Sequence, residues 1–349
     1  MQRTYTIIVP ALERKGPVNV AFDLGVAAAE AGWRVKVLYL SEREARNDTD
    51  FASEVRKFHM SDLWRLRGVI HTHCLRPDLL GWLISWNKKC YLVTTVHNFF
   101  KTDLAYSYSQ FYVQIAWLLW STALRRFAHV VCISDAMRRY YRRLLPVSTN
   151  LALIRNFRGA ADEESSLPTP IRAWIEESRE SGYTVLAYVG VLRALKNIDA
   201  LVDGMVTASD CSLLVCGEGV DRVALENKVS KLGLSGRVKF AGNLRAPRSA
   251  LALVDMLVLP SFSEGFPLVV LEAASVGVPS LMSNIAVHRE LSTLGFGLTF
   301  DHRRFSNFSE RIKLTLQMFP VPSSGLKKIW HEGYTPRAGF SNYAKFFDE

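Results

Sequence analysis

Residues 258–279 read VLPSFSEGFPLVVLEAASVGVP, and this stretch is the most informative about the fold. An apolar run, typical of a buried strand, ends at Pro260. Small residues follow, and Gly265 permits a tight turn. Pro267 is expected to occupy the first position of a helix, where its missing N–H does no harm. The helix is predicted to end near Gly277, so the stretch predicts a strand, a loop and an exposed helix start.

Two carboxylates flank this helix start. Glu264 lies in the loop, and Glu272 lies about 7 Å along the helix at 1.5 Å per residue. Unpaired N–H groups and the helix dipole favour an anion at a helix N-terminus. A phosphate held there would leave both carboxylates placed to accept hydrogen bonds from sugar hydroxyls. The pattern predicts a nucleotide-sugar site, and the alternative is a surface helix with two solvated glutamates.

The spacing from Glu264 to Glu272, with SEGFPL at residues 263–268, resembles the signature of the family 4 (group 1) retaining glycosyltransferases. These enzymes have the GT-B fold, and the resemblance is to the bacterial polysaccharide-biosynthesis type. In that family the first Glu contacts the donor sugar and the second contacts the nucleotide ribose. The resemblance implies an α/β protein with two Rossmann-like, doubly wound parallel-sheet domains that face a central cleft.

A glycine and two cations follow the first strand of the predicted second domain, in the sequence GVLRALKN at residues 190–197. Gly190 lets the backbone turn, and Arg193 and Lys196 place two positive charges in the loop. Fixed cations would stabilise a diphosphate leaving group as the glycosidic bond breaks. The alternative is a solvated basic loop. The resemblance favours the first interpretation, because the family binds the donor diphosphate with an Arg and a Lys at this place.

Three further segments resemble parts of the family's donor site. Gly217 and Gly219 follow a strand, and glycines there permit close approach of the backbone to a ligand. Asn243 and Leu244 lie in the segment whose backbone meets the base in the family. Gly16 follows the first strand, where relatives often have two glycines, and it keeps one backbone approach to the donor phosphate.

Several histidines and acids carry other possible chemistry. His97 follows an apolar strand and is expected to face the cleft, where the family often has a His near the donor sugar; a structural histidine is the alternative. A metal site at residues 71–73 (HTH) is not favoured, because no Cys or carboxylate cluster completes the ligand set. Residues 48–50 (DTD) form a DxD sequence, which could hold a divalent metal. They lie in a polar loop without a preceding buried strand, so a solvated turn is favoured over a metal site. Residues 287–290 (VHRE) lack the two glycines that relatives commonly have, so the sugar pocket is expected to differ.

These assignments define the predicted site. The predicted donor-binding residues are Gly16, Gly190, Arg193, Lys196, Gly217, Gly219, Asn243, Leu244, Glu264, Gly265, Phe266, Pro267, Leu268 and Glu272. The predicted catalytic residues are Glu264, His97, Arg193 and Lys196. No metal ligand and no cofactor is predicted, and the nucleotide diphosphate sugar is the donor substrate.

Charge is distributed unevenly along the 349 residues. Residues 1–150 contain 21 Lys and Arg against 12 Asp and Glu, whereas residues 151–349 contain 22 against 21. In the first part basic residues lie beside aromatic ones, as in WRLR at residues 64–67 and RRYYRR at residues 138–143. Such a surface suits an anionic membrane face. The alternatives are an ordinary solvated basic face and a nucleic acid, and no nucleic-acid-binding motif supports the second of these.

The composition of the chain and a polar linker predict two domains in a cytosolic protein. With 49% hydrophobic and 22% charged residues, the chain is long enough for two cores. Alternating apolar runs and helical patterns predict parallel sheets covered by helices. A polar linker over residues 159–182 divides an acceptor-binding domain (1–165) from a nucleotide-sugar domain (166–330), and the tail 331–349 is expected, by resemblance, to pack back on the first. No signal pattern is visible, and five cysteines without a CxxC pair predict a reduced, cytoplasmic protein.

The resemblance implies a hexosyl-type transferase that moves a sugar from a nucleotide diphosphate sugar to a saccharide acceptor. The acceptor is expected to be lipid-linked, as in O-antigen or capsule assembly, with the protein peripheral on the inner face of the cell membrane. Two alternatives stay open from the sequence. One is a nucleotide-sugar epimerase or phosphorylase-like enzyme on the same fold, and the other is a non-catalytic protein that binds saccharide or membrane surface.

Overall fold

The computed structural model describes residues 3–13, 15–42, 48–106, 108–159, 167–244, 246–303, 305 and 307–347. The chain divides into two units, the first formed by residues 1–159 and 333–349 and the second by residues 160–332. The boundary predicted after residue 165 and part of the predicted linker fall at residues 160–166, outside the described part.

The first unit is built on a seven-stranded sheet whose neighbouring strands pair in parallel, in the order β3-β2-β1-β4-β5-β6-β7. Its inner strands are rich in Val and Ile and are largely buried, as expected where helices cover both faces. The strands are β1 Thr4–Ala11, β2 Arg34–Ser41, β3 Glu54–Lys57, β4 Gly68–His73, β5 Cys90–Val96, β6 His129–Cys132 and β7 Leu151–Leu153. The helices before residue 159 are α1 Gly16–Glu30, α2 Asp62–Arg65, α3 Leu75–Ile84, α4 Phe100–Ala105, α5 Gln110–Leu124 and α6 Asp135–Leu144.

The strand order reverses between β1 and β4, and this switch point positions the polar residues of the first unit. Ligands of doubly wound sheets bind outside the carboxyl ends of the strands at such a point. β1 ends at Ala11, shortly before Gly16, while β4 ends at His73. β5 lies beside β4 and ends one residue before His97. The topology therefore brings Gly16, His73 and His97 to one edge of the sheet.

The second unit repeats the plan with six parallel strands in the order β10-β9-β8-β11-β12-β13. Its strands are β8 Thr184–Val189, β9 Cys211–Cys216, β10 Val238–Gly242, β11 Met256–Leu259, β12 Ser280–Ser283 and β13 Gly297–Phe300. Its helices are α7 Thr169–Glu180, α8 Ile198–Thr207, α9 Arg222–Lys231, α10 Pro247–Leu251, α11 Leu268–Val276, α12 Ala286–Thr293, α13 Phe308–Met318 and α14 Ser324–Gly333. Here the order reverses between β8 and β11, so the loops after these two strands meet.

The predicted α/β class with two doubly wound parallel sheets is confirmed. Two edge strands, β3 and β13, lack the apolar runs from which the sequence predicts strands. β3 has the sequence EVRK, and its partial exposure at the edge of the sheet removes the need for a continuous apolar run. β13 begins at Gly297, and a glycine in a short run reads as a turn.

The last helix, α15 Pro336–Ala344, belongs to the first unit and packs on α1. Its Phe340 is 4% exposed and meets the edges of two rings, Tyr5 at 5.7 Å and Trp33 at 6.0 Å between ring centroids. Phe347, just beyond the helix, lies 5.6 Å from the Trp33 ring. The end of the chain therefore fills an aromatic core between α1 and the amino-terminal strand.

A line of hydrogen bonds joins this tail to the sheet. The Tyr5 hydroxyl lies 2.5 Å from His71 Nδ1, and His71 Nε2 lies 2.8 Å from Thr95 Oγ1. Thr95 Oγ1 in turn lies 2.7 Å from the Tyr343 hydroxyl on α15. All four side chains are fully or almost fully buried. Because burial disfavours a charged ring, the pKa of His71 falls to about 3. The His71 ring in this line of hydrogen bonds is therefore neutral near neutral pH.

Three histidine rings stack at the ends of β4 and β5. The His71 and His73 centroids are 4.3 Å apart, and those of His73 and His97 are 5.2 Å apart. His73 Nδ1 lies 2.9 Å from His97 Nε2, within hydrogen-bond distance. Burial lowers the pKa of His97 to about 3 and that of His73 well below its ordinary value. Near neutral pH the three rings are therefore uncharged.

A buried carboxylate fixes α3 and α5 to the sheet. Asp78 accepts hydrogen bonds from Thr72 Oγ1 at 2.5 Å, Thr94 Oγ1 at 2.6 Å and Trp120 Nε1 at 2.7 Å. Burial raises the pKa of Asp78 to about 7, although the three donors act in the opposite direction. Trp120 thus holds α5 in a defined position.

Among the helices of the described part, none is long and apolar enough to cross a bilayer.

Replacing Phe340 by Ala should destabilise the first unit by about 3–5 kcal/mol, because the change leaves a cavity among aromatic rings. The free energy of unfolding, measured by urea titration, checks this. Ser341→Ala changes an exposed position on the same helix and should stay within about 0.5 kcal/mol of the unmodified protein. Equal effects of the two substitutions would show that the tail is not part of the core.

Stability should fall as the pH drops from about 6.5 towards 3. In this window the unfolded chain binds protons at His71 and His97 that the folded protein does not bind, because their folded-state pKa values are about 3. Each such proton contributes a slope of about 1.4 kcal/mol per pH unit. The free energy of unfolding, measured from pH 4 to 7, should have a smaller slope in His97→Asn. Identical slopes would contradict the uncharged state of His97 in the folded protein.

Candidate functional site

An ion pair lies where the loops after β8 and β11 meet. Lys196 Nζ donates to Glu264 Oε1 at 2.7 Å, and Ser261 Oγ donates to the same oxygen at 2.8 Å. The two charged side chains are only 22% and 13% exposed. Burial acts to raise the pKa of Glu264, but the Lys196 ammonium and the hydrogen bonds hold it below its ordinary value. Glu264 is therefore a carboxylate at neutral pH, and within the described residues its Oε2 has no hydrogen-bond partner.

Backbone hydrogen bonds join the two loops that carry this pair. The Phe262 amide donates to the Leu195 carbonyl at 2.9 Å. Asn197 is 8% exposed, has a left-handed backbone (φ 56°) and donates from Nδ2 to the carbonyls of Pro260 and His302, both at 3.2 Å. Lys196 precedes Asn197 in a short 3-10 turn over Ala194–Lys196. The position of the ammonium is thus fixed by the backbone around it.

The helix start predicted beside Glu264 is present, with one difference in register. α11 begins at Leu268, so Pro267 is the residue before the helix and not its first residue. Its φ of −68° and ψ of 121° are extended, and the Val270 amide donates to its carbonyl at 3.2 Å. The helix ends at Val276, and Gly277 follows it with a left-handed φ of 85°, as predicted for a glycine end. Glu272 is half-buried in the second turn.

Residues 265–267 form the connection between the pair and α11. Gly265, Phe266 and Pro267 are buried, while Leu268 is half-buried at the helix start. The amide groups of a first helical turn lack intrahelical acceptors. A nine-residue helix whose start directly follows the Lys196–Glu264 pair therefore offers donors for an anion next to a cation.

His288 on α12 is buried near the ion pair, and the sequence did not predict this position. Ser283 Oγ donates to the Ser261 carbonyl at 2.6 Å, so its hydroxyl proton is already used. His288 Nδ1 lies 2.8 Å from Ser283 Oγ and 3.1 Å from the Ser283 carbonyl, and both can only accept. Nδ1 must therefore carry the ring proton. Nε2 is then a buried acceptor without a partner in the described structure.

The pKa of this ring responds to the Glu264 carboxylate. Burial lowers the pKa of His288 to about 4, while the Glu264 carboxylate acts in the opposite direction. The ring is neutral at neutral pH. Only the VHRE pattern, which departs from the glycines of relatives, pointed to this position, and it gave no indication that the His would be buried.

Gly217 and Gly219 were predicted to allow a ligand close to the backbone. In the structure, their lack of a side chain allows the close packing of two loops. A Cβ on Gly217 would collide with the carbonyl oxygen of Gly190, and one on Gly219 would collide with that of Leu192. The amides of Gly190 and Leu192 donate to the carbonyls of Cys216 and Glu218, both at 2.9 Å. These glycines permit close packing of the loop after β9 on the loop after β8. They thereby support the segment that carries Arg193 and Lys196.

The other predicted residues of the second unit lie around this centre without joining it. Arg193 is exposed, and no described residue forms an ion pair with it. Asn243 is exposed and Leu244 half-buried after β10, and within the described residues neither bonds to Lys196 or Glu264. The Gly217 amide donates to the Gly242 carbonyl at 2.8 Å, which connects this segment to the glycine loop.

Two predicted residues belong to the first unit. Gly16 is exposed at the first position of α1, with Pro17 next to it. His97 is half-buried after β5 and has His73 as its partner. The residues 48–50 of the DTD sequence lie before β3, where both acids are exposed. In the part of the chain that is described, no group of three or more His, Cys, Asp or Glu residues could hold a metal ion.

Two stretches of the sequence match glycosyltransferase families. Residues 14–158 match the family described as Glycosyltransferase Family 4, and residues 171–320 match Glycosyl transferases group 1. The two matches together cover most of the chain, with one stretch in each unit.

Individual relatives agree with these families. The O-antigen biosynthesis glycosyltransferase WclY of Escherichia coli is 31% identical over 236 residues, which are 67% of this chain and 65% of WclY, slightly under two thirds of its length. The lipopolysaccharide core biosynthesis glycosyltransferase LpsE of Rhizobium meliloti (strain 1021) is 26% identical over 263 residues, 72% of this chain and 71% of LpsE. The structure of Anabaena Alr3699/HepE in complex with UDP and glucose is 16% identical and has a TM-score of 0.78 over 99% of this chain and 100% of that one. The chain belongs to the group 1, family 4 glycosyltransferases and has their GT-B fold.

Proposed function

We propose that the protein is a retaining glycosyltransferase that moves a sugar from a nucleotide diphosphate sugar to a saccharide acceptor. The observation that carries this proposal is the Lys196–Glu264 pair at the start of α11. It places a cation, helix amides and a carboxylate side by side. A nucleotide diphosphate sugar offers the complementary groups in the same order, with a negative diphosphate next to a sugar rich in hydroxyl groups.

The donor is held by the second unit. Lys196, Arg193 and the amides of the first turn of α11 bind the diphosphate, Glu272 binds the ribose and Glu264 binds the sugar. The free Oε2 of Glu264 accepts a sugar hydroxyl while Oε1 keeps its bonds to Lys196 and Ser261. The UDP and glucose bound to HepE support this class of donor. Two protein cations beside the diphosphate supply the positive charge that a metal ion gives in other transferases.

Transfer proceeds with attack from the face that the diphosphate leaves. The bond from the anomeric carbon to the phosphate oxygen breaks, and its electron pair stays on the diphosphate. The acceptor hydroxyl oxygen bonds to the anomeric carbon, and its proton passes to the departing phosphate oxygen. Lys196 and Arg193 stabilise the charge that develops on the diphosphate, which lowers the barrier more than it strengthens ground-state binding. We also predict that His97 contributes to catalysis.

The acceptor is a lipid-linked saccharide of cell-surface polysaccharide assembly, bound by the first unit at the cytoplasmic face of the membrane. The names of WclY and LpsE support the class of product. The charges support the location, since the first unit contains 25 Lys and Arg against 14 Asp and Glu while the second contains 18 against 19. A unit with a net charge of +11 is attracted to anionic lipids.

A nucleoside diphosphate should raise the melting temperature of the protein, because a ligand that binds only the folded state stabilises it. Thermal unfolding with UDP, GDP and dTDP would identify the base. At a ligand concentration of about 100 times Kd, the free energy of unfolding should rise by about 2.7 kcal/mol. Lys196→Ala and Glu272→Ala should each reduce this shift. Glu176→Gln, at an exposed position of α7, is the matched control and should preserve it. Failure of all three nucleotides to stabilise the unmodified protein would contradict the donor site.

Glu264→Gln should lower turnover by about 100-fold or more, the typical loss of one contact that strengthens in the transition state. Release of nucleoside diphosphate from the matching nucleotide sugar, with extracted bacterial lipids as acceptor, measures turnover. The glutamine still accepts the hydrogen bond from Ser261 but leaves the Lys196 ammonium without its counter-charge, so the melting temperature should fall, and turnover is compared at a temperature where the variant is folded. Release without added lipid at the same rate would favour hydrolysis or isomerisation over transfer. Unchanged turnover in the variant would refute the role of Glu264.

A further inference from the structure

Helix α5 has two apolar faces, and only one of them is covered by protein. Its inner face contains Val113, Trp120 and Leu124, which are at most 2% exposed. Its outer face consists of Phe111, Ile115, Leu118 and Leu119, which are 77%, 45%, 66% and 56% exposed. These four positions fall within about 100° of arc at 100° per residue, so they form one continuous surface.

Charged side chains are absent from this part of the sequence. Residues 104–124 contain no Asp, Glu, Lys or Arg. The solvent-facing side of a surface helix normally contains charged and polar residues, and a large exposed apolar patch indicates an interaction site. Tyr108 and Tyr112 extend the patch, with rings stacked at 4.8 Å, and both are about half exposed.

A group of cations borders the carboxyl end of the outer face. This basic border consists of Lys88, Lys89, Arg125 and Arg126, all of which are exposed. The Arg126 guanidinium lies 5.0 Å from the ring centroid of Trp86, which is itself 60% exposed. Tryptophan and tyrosine prefer the interface between membrane and water, and Lys and Arg prefer anionic headgroups. The patch therefore has the composition of a surface that lies in a bilayer interface.

We propose that the outer face of α5 inserts into the interfacial layer of an anionic membrane, with the basic border on the lipid headgroups. This inference deepens the membrane location in the proposed function, which it takes as given. It assigns the contact to a helix that the basic-aromatic sequence segments did not single out. Within one of those segments, residues 138–143, Tyr141 is completely buried and donates to the Asn98 carbonyl at 2.8 Å, while the four arginines are exposed.

The charges favour a membrane over a second copy of the chain. A contact of this face with itself would bring together two units of net charge +11, each with a basic border beside the patch. An anionic bilayer accommodates both features, since acyl chains receive the apolar side chains and headgroups neutralise the cations. The attachment of Trp120 to Asp78 at 2.7 Å holds the helix in place while its outer face is in lipid.

Cosedimentation with vesicles tests the proposal. The full-length protein should bind vesicles of phosphatidylglycerol and phosphatidylethanolamine at least tenfold more tightly than vesicles of phosphatidylcholine alone. The double variant Phe111→Ser, Leu118→Ser should lose at least tenfold in binding to the anionic vesicles. Val220→Ser, Val223→Ser is the matched control, because these valines are 90% and 69% exposed in the second unit, and it should bind like the unmodified protein. Arg125→Gln, Arg126→Gln should reduce binding and its dependence on salt.

Two further measurements separate this inference from the proposed function. Nucleotide-dependent thermal stabilisation should be the same in the α5 variant and in the unmodified protein, because the donor site lies in the other unit. Equal vesicle binding by the α5 variant and the valine control would overturn the inference, as would the absence of vesicle binding. A dimer in solution that the α5 substitutions convert to a monomer would replace the membrane with a second copy. Loss of nucleotide stabilisation in the unmodified protein alone would count against the proposed function and not against vesicle binding.

Discussion

The ion pair between Lys196 and Glu264 is the interaction on which the candidate site depends. Both side chains are mostly buried, and removing either would leave an uncompensated charge in a poorly solvated place. The protein tolerates this arrangement because the loops are joined through Asn197 and Leu195. In the proposed function, an incoming diphosphate would meet a cation that is already positioned. It would compete with a carboxylate for that cation, and the carboxylate would in turn accept the hydroxyl groups of the attached sugar.

Sheet topology explains why the residues of this site lie far apart in sequence. Reversal of the strand order between β8 and β11 brings together loops about 70 residues apart, and the parallel pairing of β4 with β5 brings the histidines of the first unit together. In each sheet, the inner strands are uninterrupted runs of mostly apolar residues, many of them β-branched, and these strands are buried. The polar residues follow at the strand ends, where the backbone no longer forms hydrogen bonds to a neighbouring strand and the side chains leave the apolar core.

The inner strands and the Glu264 loop could be predicted because their physical signals are local. A parallel strand covered on both faces needs an uninterrupted apolar run, and a glycine that follows an apolar helical pattern is a common helix end. The edge strands β3 and β13 lack such runs. Pro267 differs by one position from the prediction, because extended backbone before the helix suits proline as well as the first helical turn does. The buried state of His288 depends on Ser283 and Ser261, and the packing of Gly217 depends on Gly190, so no local pattern could reveal either.

The crossing of the last helix back to the first unit has a consequence for how the protein is made. Phe340 and Tyr343 complete the core around Tyr5, yet they are translated after the whole second unit. A ribosome-bound chain that has emerged as far as residue 159 therefore lacks the rings that complete the core around Tyr5. The amino-terminal unit therefore reaches its final packing only after the second unit has been synthesised.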